Sequence, residues 1–220
     1  MKESNNYIGI VIDSPRLVIK GRKCSNKFMS YQLSISKEDI NKLPLYVFPG
    51  KIVLIESEPE AFAAAEAMEG EIVLGFDTET KAAFRKGERY DVSMLQLATN
   101  THAYLFRLNK FSMPKEIINI LENPSIIKAG VAIHDDIKAL KKLTPFEDKG
   151  FVDLAKLAKE KQVINFGLRA LTAIYLGRRL SKKANISNWE RKHLNATQIE
   201  YAACDAAVGY LIYEKISKQE

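Results

Sequence analysis

From position 51 onward the apolar residues fall into short blocks that switch between strand and helix spacing. Lys51–Glu56 has the length of a strand. So does Glu71–Glu79, whose run Ile72-Val73-Leu74-Gly75-Phe76 shows no polar alternation and predicts a strand covered on both faces. Between them an Ala-rich stretch opens at Ser57, with Glu60 three residues on as a capping box, and ends at Gly70. Asp91–Thr99 and His102–Leu108 predict a hairpin turning at Thr99-Asn100-Thr101. A helix is expected after Ser112, stopping at Asn123-Pro124. Ile126–Val131 predicts a strand, followed by a helix beginning around His134–Asp136. Phe151–Leu154 predicts a strand running into a helix over Ala155–Lys161. Asn165 is placed to cap a helix with Leu168, Leu171 and Ile174 on one face, stopped by Gly177. Thr197 with Glu200 predicts a capping box for a last helix reaching past Tyr213. Several strands first, then mostly helices, is an α/β layout with a mixed sheet.

Ahead of position 51 the pattern is different, with a composition break near Pro44–Gly50. Tyr7–Ile12, Ser14-Pro15-Arg16 and Leu17–Ile19 make at most an isolated hairpin, which is marginal alone in water. The expected organisation is an N-terminal extension over residues 1–50 and one domain over 51–220. Met1–Phe28 is expected to be a weakly ordered appendage.

Composition confirms a globular chain, with 46% hydrophobic and 27% charged residues. No apolar stretch approaches the ~20 residues a membrane span needs, so no membrane association is expected. Cys24 and Cys204 make neither a disulfide framework nor a zinc site. With no secretory pattern at the start, a cytoplasmic protein is expected. The net charge of +6 is unevenly placed. Residues 1–28 carry a net +4, and Gly177–His193 a net +5 from Arg178, Arg179, Lys182, Lys183, Arg191 and Lys192 against Glu190. A basic segment on a slightly acidic body fits a polyanionic partner, although a solvated face has the same composition.

Three places could carry chemistry. In Phe76-Asp77-Thr78-Glu79-Thr80, alternation puts Asp77 and Glu79 on one face and Thr78 on the other. Two adjacent carboxylates repel unless a cation such as Mg²⁺ or Mn²⁺ lies between them, or unless they simply end the strand in solvent. Tyr201 and Asp205 share a face of an apolar helix, where a buried Asp needs a partner: a metal, a cation or the Tyr hydroxyl. In Gly130-Val131-Ala132-Ile133-His134-Asp135-Asp136 a strand gives way to a helix that either Asp could cap. His134 has no partner at zinc spacing.

In this order the motifs resemble those of the DEDD superfamily of 3′–5′ exonucleases, in the branch with a Tyr in the third motif. The nearest likeness is to ribonuclease D and Werner-type exonuclease domains. Ser93-Met94-Leu95-Gln96-Leu97-Ala98, Lys128-Ala129-Gly130-Val131, Gly167-Leu168 through Leu176-Gly177, Asn188-Trp189 and Thr197-x-x-x-Tyr201-Ala202-x-x-Asp205-Ala206 carry it further, over roughly Glu71 to Glu214. The resemblance implies a ribonuclease H-like mixed sheet flanked by helices, and hydrolysis of nucleic acid from a 3′ end with two divalent cations, Mg²⁺ or Mn²⁺. It implies Asp77, Glu79, Asp136 and Asp205 as metal ligands and Tyr201 as the residue that orients the attacking water. The resemblance selects Asp136 over Asp135, because in that family the second-motif acid falls six residues after the Gly matched here by Gly130. Where Werner-type domains tend to carry an aromatic residue two places after this Asp, this chain has Lys138.

On that reading Arg85, Lys86, Lys138, Arg178, Arg179, Lys182 and Lys183 neutralise substrate phosphates. Trp189 and Phe84 are the candidates to stack bases, with core packing the alternative for Trp189. The expected partner is a single-stranded 3′ end of DNA or RNA, with no obligate protein partner evident. The competing class is a catalytically silent nucleic-acid-binding module on the same fold. Such a module should lack at least one metal ligand, and here all four acids and the Tyr are present.

Overall fold

The computed structural model describes residues 33–184 and 186–218. The hairpin expected within Met1–Phe28 lies outside the described residues. In chain order the elements are α1 (Lys37–Lys42), β1 (Lys51–Ile55), α2 (Glu58–Ala67), β2 (Val73–Thr80), β3 (Val92–Ala98), β4 (His102–Phe106) and α3 (Lys115–Glu122). They continue with β5 (Ile127–Gly130), α4 (His134–Leu143), β6 (Phe151–Asp153), α5 (Leu154–Glu160), α6 (Leu168–Leu176) and α7 (Ala196–Ser217). Among the described residues no helix is long and apolar enough to cross a membrane.

The strands form one sheet in the order β1-β4-β3-β2-β5-β6. β3 runs antiparallel to both β2 and β4, while β1/β4, β2/β5 and β5/β6 are parallel. The expected mixed sheet is therefore present, and the strand carrying Asp77 and Glu79 lies inside it. Interior position explains the unbroken apolar run of β2: helices cover both of its faces. One face packs Leu74, Phe76, Leu95 and Leu97 against Met68, Ile117, Leu121, Ile137 and Leu140 of the α2, α3 and α4 layer. The other packs Met94, Ala98, Ala103 and Leu105 against Ala202, Ala203 and Ala206 of α7.

Helix α7 lies unusually close to the sheet because β2 has no side chain at Gly75. A Cβ there would sit 1.9 Å from the carbonyl oxygen of Ala206. Gly209 allows the same approach over β5, where a Cβ would meet the Ala129 carbonyl at 2.7 Å. Alanine-lined α7 thus rests directly on the strands, and its side chains reach the face that Asp77 and Glu79 occupy.

Helix ends correct three local expectations. Helix α7 starts at Asn195, whose side chain accepts from the Gln198 N–H at 2.9 Å while Gln198 reaches back to the Asn195 N–H. The capping box is therefore Asn195/Gln198 rather than Thr197/Glu200. Gln198 wins because its amide also donates to the Ser187 hydroxyl and the Asn188 carbonyl, tying the helix to the preceding loop. Asn165 does not cap α6: its Oδ1 accepts from the Ile35 N–H at 2.9 Å, and Gly167 occupies the cap position with no side-chain bond. At α2, Ser57 is the cap residue without a side-chain bond, and Glu60 instead accepts from the Glu56 N–H.

The segment ahead of β1 is tied to the body at several points. Ile40 of α1 is buried, the Ile164 N–H donates to the Leu33 carbonyl, and Leu45 forms a parallel bridge with Arg179.

Candidate active site

Asp77 and Glu79 lie near the C-terminal end of β2 on the face under α7, two residues and four residues beyond Gly75. Asp205 comes down from α7 and is 6% exposed. Asp136 sits in the first turn of α4, which begins just past the end of β5, and its Oδ1 accepts from the Thr78 hydroxyl. Asp135, its neighbour, is exposed. Four carboxyl groups from three elements therefore lie within electrostatic reach of one another at one end of the sheet, with Asp136 and not Asp135 among them. Thr78 points to the opposite face, as alternation predicts, and uses that position to hold Asp136. The Thr78 N–H donates to Asp77 Oδ1 at 2.9 Å.

Their protonation reflects this crowding. Burial, then Asp205 and Asp136, hold the Asp77 carboxyl well above the usual carboxylate range. Burial and the negative charge of Asp77, Asp205 and Asp136 push Glu79 up to about 9. Burial raises Asp205 to about 7, against a hydrogen bond from Tyr201 and the nearby positive charge of Arg169. Burial raises Asp136 as well, while the Thr78 hydroxyl opposes the shift. Tyr201 rises far above its ordinary value through burial and the charge of Asp205 and Glu79, so it is a hydrogen-bond donor throughout the physiological range.

Among the described residues, three or more acidic, His or Cys side chains do not converge as a ready-made metal-ligand set. The donor chemistry nonetheless fits hard divalent cations. Asp77, Glu79, Asp136 and Asp205 supply only oxygen, they repel one another when ionised, and among the described residues none of them is in a salt bridge within 4.0 Å.

The aromatic and basic residues are divided by the fold. Trp189 is fully buried, with its ring 6.3 Å from that of Tyr201, so it packs the core under the site and does not stack on a base. Its indole N–H makes no hydrogen bond of good geometry, yet it lies close enough to Glu79 to favour the carboxylate. Phe84 is 81% exposed on the loop after β2, beside exposed Arg85 and Lys86. Lys182 and Lys183 line depressions that include Tyr201 and Asp205. Arg179 is committed elsewhere: its Nε donates to the Leu43 carbonyl at 2.9 Å. Arg178 lines a separate depression with Leu45, Val47 and Asn100. Lys138 is exposed, but it is two positions from Asp136 and so about 200° around the helix from it.

Three neighbours of the site escape the sequence reading. Gln96 pairs directly across from Asp77 on β3, is fully buried, and neither atom of its amide has a partner. Arg107, also fully buried, donates to Glu56 at 2.6 Å and to the backbone carbonyls of Trp189, Arg191 and Lys192, fixing the segment that carries Trp189. Arg169 lies on α6 beside Asp205. Its sequence signal was a cation among the apolar residues of that helix.

Known proteins resemble this chain in sequence and in fold. An exonuclease of the bifunctional 3′-5′ exonuclease/ATP-dependent helicase type, WRN of Mus musculus, is 34% identical over 187 residues, which is 80% of this chain and 13% of the relative. A putative 3′-5′ exonuclease of Acanthamoeba polyphaga mimivirus is 28% identical over 66% of this chain and 39% of its own length. The chain thus spans well under half of either relative. Among solved structures, the Aedes aegypti Nibbler exonuclease domain superposes with a TM-score of 0.71 at 23% identity, covering 79% of this chain and 92% of that one. Escherichia coli RNase D gives 0.69 at 22% identity over 76% of this chain and 44% of its own. The fold is therefore the ribonuclease H-like one. The 3′-5′ exonuclease family model matches residues 51–219, the whole stretch that carries the four carboxylates and Tyr201, and the chain belongs to the 3′-5′ exonuclease family.

Proposed function

We propose that this chain shortens a nucleic-acid strand from its 3′ end by hydrolysis, releasing nucleoside 5′-monophosphates. The carrying observation is the gathering of Asp77, Glu79, Asp136 and Asp205 at one end of the sheet, with all four carboxyl groups raised by burial and Asp77 and Glu79 raised further by the neighbouring carboxylates. Such a cluster would only repel a phosphodiester unless it holds cations.

Asp77, Glu79 and Asp205 would hold one divalent cation, Asp77 and Asp136 a second, with Mg²⁺ and Mn²⁺ the metals these oxygen donors suit. When bound, the pair supplies positive charge to the attacking water and to the departing oxygen of an in-line displacement. The chain's own residues supply the positioning. Thr78 fixes the Asp136 carboxyl by its hydroxyl. Asp205 accepts from the Tyr201 hydroxyl, which places that phenol beside the cluster as a donor. Because Tyr201 stays protonated, it orients the water through its oxygen and does not remove the proton itself. In the reaction the water oxygen bonds to phosphorus and gives up a proton to solvent, the bond from phosphorus to the 3′ oxygen of the penultimate nucleotide breaks, and that oxygen takes up a proton from solvent. Lys182 and Lys183, which line the depressions beside Tyr201 and Asp205, would neutralise strand phosphates.

The test uses DNA and RNA strands labelled at either end, incubated with Mg²⁺, Mn²⁺ or EDTA. Shortening from the 3′ end that requires metal is expected. Loss of label from the 5′ end, or full activity in EDTA, overturns the reading.

A further inference from the structure

A strained backbone turn delivers Asp136. Strand β5 ends at Gly130 and α4 begins at His134, so three residues carry the chain from one to the other. The middle one, Ala132, has φ +58°, in the left-handed region that costs energy for a residue with a Cβ. Among the described residues the one other non-glycine with positive φ is Gln162, and it follows the end of α5, where a left-handed residue is an ordinary helix stop. Ala132 ends no helix. It turns the chain out of the sheet and into the helix whose third residue is Asp136.

Two contacts hold this turn. On one side a Cβ at Gly130 would fall 2.4 Å from the Phe76 carbonyl oxygen and 2.6 Å from Ile133 Cγ2, so the chain leaves β5 pressed against the residue before Asp77. On the other, the Ala132 N–H donates to Asp153 Oδ1 at 3.0 Å. Asp153 stands opposite Gly130 in the β5/β6 pair, and the same oxygen accepts from the Ala155 N–H at 2.9 Å as the cap of α5. Helix α4 has no side-chain cap of its own at Ile133. Its first turn is therefore placed by the backbone at Ala132 and, at Asp136, by the Thr78 hydroxyl. Without its acceptor Ala132 would relax toward negative φ, and Asp136, four residues on, would move with it.

We propose that Asp153 is a positioning residue for the metal site: it holds Ala132 in its left-handed turn and so sets where α4 presents Asp136 to a divalent cation. The assignment rests on the nuclease reading above and adds to it a residue that acts through Asp136 and not on the strand. Loss of a group that orients a metal ligand from behind costs about 10–100-fold in metal affinity. The effect of losing Asp153 should therefore appear in the metal requirement and leave strand binding as it was.

The experiment follows kcat, KM for a 3′-labelled strand and the melting temperature of the full chain as Mn²⁺ is raised. Asp153→Ala is expected to raise the Mn²⁺ concentration for half-maximal turnover, and for half of the thermal shift, about tenfold, with KM for the strand close to the parent's. Asp153→Asn keeps an acceptor oxygen and should respond to Mn²⁺ as the parent does. Adding Ala132→Gly to Asp153→Ala should restore the Mn²⁺ response, because glycine takes a positive φ without steric cost. The melting temperature should stay low in that double variant, since the α5 cap is still lost. A parental Mn²⁺ response in Asp153→Ala overturns the proposal. So does failure of Ala132→Gly to restore the response, which would put the effect in α5. If Asp153→Ala does not fold, Ala132→Val decides: a β-branched residue resists positive φ, so a several-fold higher Mn²⁺ requirement is expected and a parental one overturns the assignment. If the parent chain cuts no strand, the nuclease reading fails by itself, and Asp153 is still judged by the Mn²⁺ dependence of melting.

Discussion

At Asp77, Glu79 and Asp205 the carboxyl groups keep protons that solvent-exposed carboxyls release near pH 4. The consequence for stability has a definite sign. Without metal, the folded state binds more protons than the unfolded chain from about pH 4 up to about 7 for Asp205 and about 9 for Glu79. Stability should therefore fall as pH rises through that window. Lys128 works in the opposite direction, but only higher: burial lowers it to about 8 in the folded state, so it favours folding as pH climbs above that value. The clean interval is pH 5–8. Melting in EDTA should show a falling Tm across it, and Mn²⁺ should reduce the fall, since cations replace the protons. A metal-free Tm that rises over this interval would contradict the crowded-carboxylate picture. On turnover, Asp77→Ala should nearly abolish 3′ shortening, because Asp77 would serve both cations. Tyr201→Phe should cost about 10²-fold while the Mn²⁺-induced stabilisation survives. Equal loss of that stabilisation in both variants would make Tyr201 a structural support for Asp205. Strand alternation made the shared face of Asp77 and Glu79 legible in the sequence, and helical spacing that of Tyr201 and Asp205, whereas Asp136 and the grouping of the five came only through the family resemblance. Gln96, Arg107 and Arg169 were not legible, since each meets the site across a strand pair, a loop or a helix pair that no local pattern encodes.

At the scale of elements, the decisive contact is α7 on β2. Sequence periodicity gives α7 its length, yet nothing periodic says that its alanines touch backbone. Gly75 carries that information, and its meaning appears only when the Ala206 carbonyl is found 1.9 Å from where its Cβ would be. A substitution must push the helix outward, and it sits two residues from Asp77 and one position from Asp205 in the facing helix. Gly75→Ala should destabilise the fold by roughly 1–3 kcal/mol, the range of overpacked cores. It should also remove most activity by withdrawing Asp205 and Tyr201 from Asp77. Urea unfolding with an activity assay reads both, and a Gly75→Ala chain with parental stability and turnover would show that α7 has room to move. The capping boxes show the opposite limit. Thr197/Glu200 and Asn195/Gln198 satisfy the same local pattern two residues apart, and tertiary bonds from Gln198 to Ser187 and Asn188 select the second.

Over the whole molecule, charge and boundaries decide how the site meets a strand. The basic run from Gly177 to His193 reads as one patch in the sequence, but the fold splits it. Arg179 is spent on Leu43 and Arg178 faces another depression, leaving Lys182 and Lys183 toward Tyr201 and Asp205. Replacing these two lysines with Ala should weaken single-strand binding and reduce the slope of log K against log salt by about 1.4, given ~0.7 for each phosphate contact. An unchanged slope would return them to solvated surface.

The boundary at the N-terminus gives a second, independent test, because the family match and the physical body do not start at the same place. The match begins at residue 51. The body includes the segment before it: Ile40 is 6% exposed, Asn165 holds the Ile35 N–H, and Arg179 donates to the Leu43 carbonyl. Pro44 and Tyr46 add backbone bonds to Arg179. A chain starting at Lys51 loses all of these. It exposes the apolar surface under Ile40, worth about 2 kcal/mol for one such side chain, and leaves the Arg179 Nε and backbone without partners. Such a chain should melt well below one that starts at Met29, and removal of α1 should also remove one wall of the depression that Lys182 shares with Asp205. The hypothesis for residues 1–28 is separate, that they are an appendage whose loss leaves Tm and metal-dependent turnover nearly unchanged. Melting the full chain and chains starting at Met29 and Lys51 side by side tests both. Equal Tm for the two truncated chains would show that the 33–50 segment adds nothing to the body. A steep drop already at Met29 would place residues 1–28 within the cooperative unit.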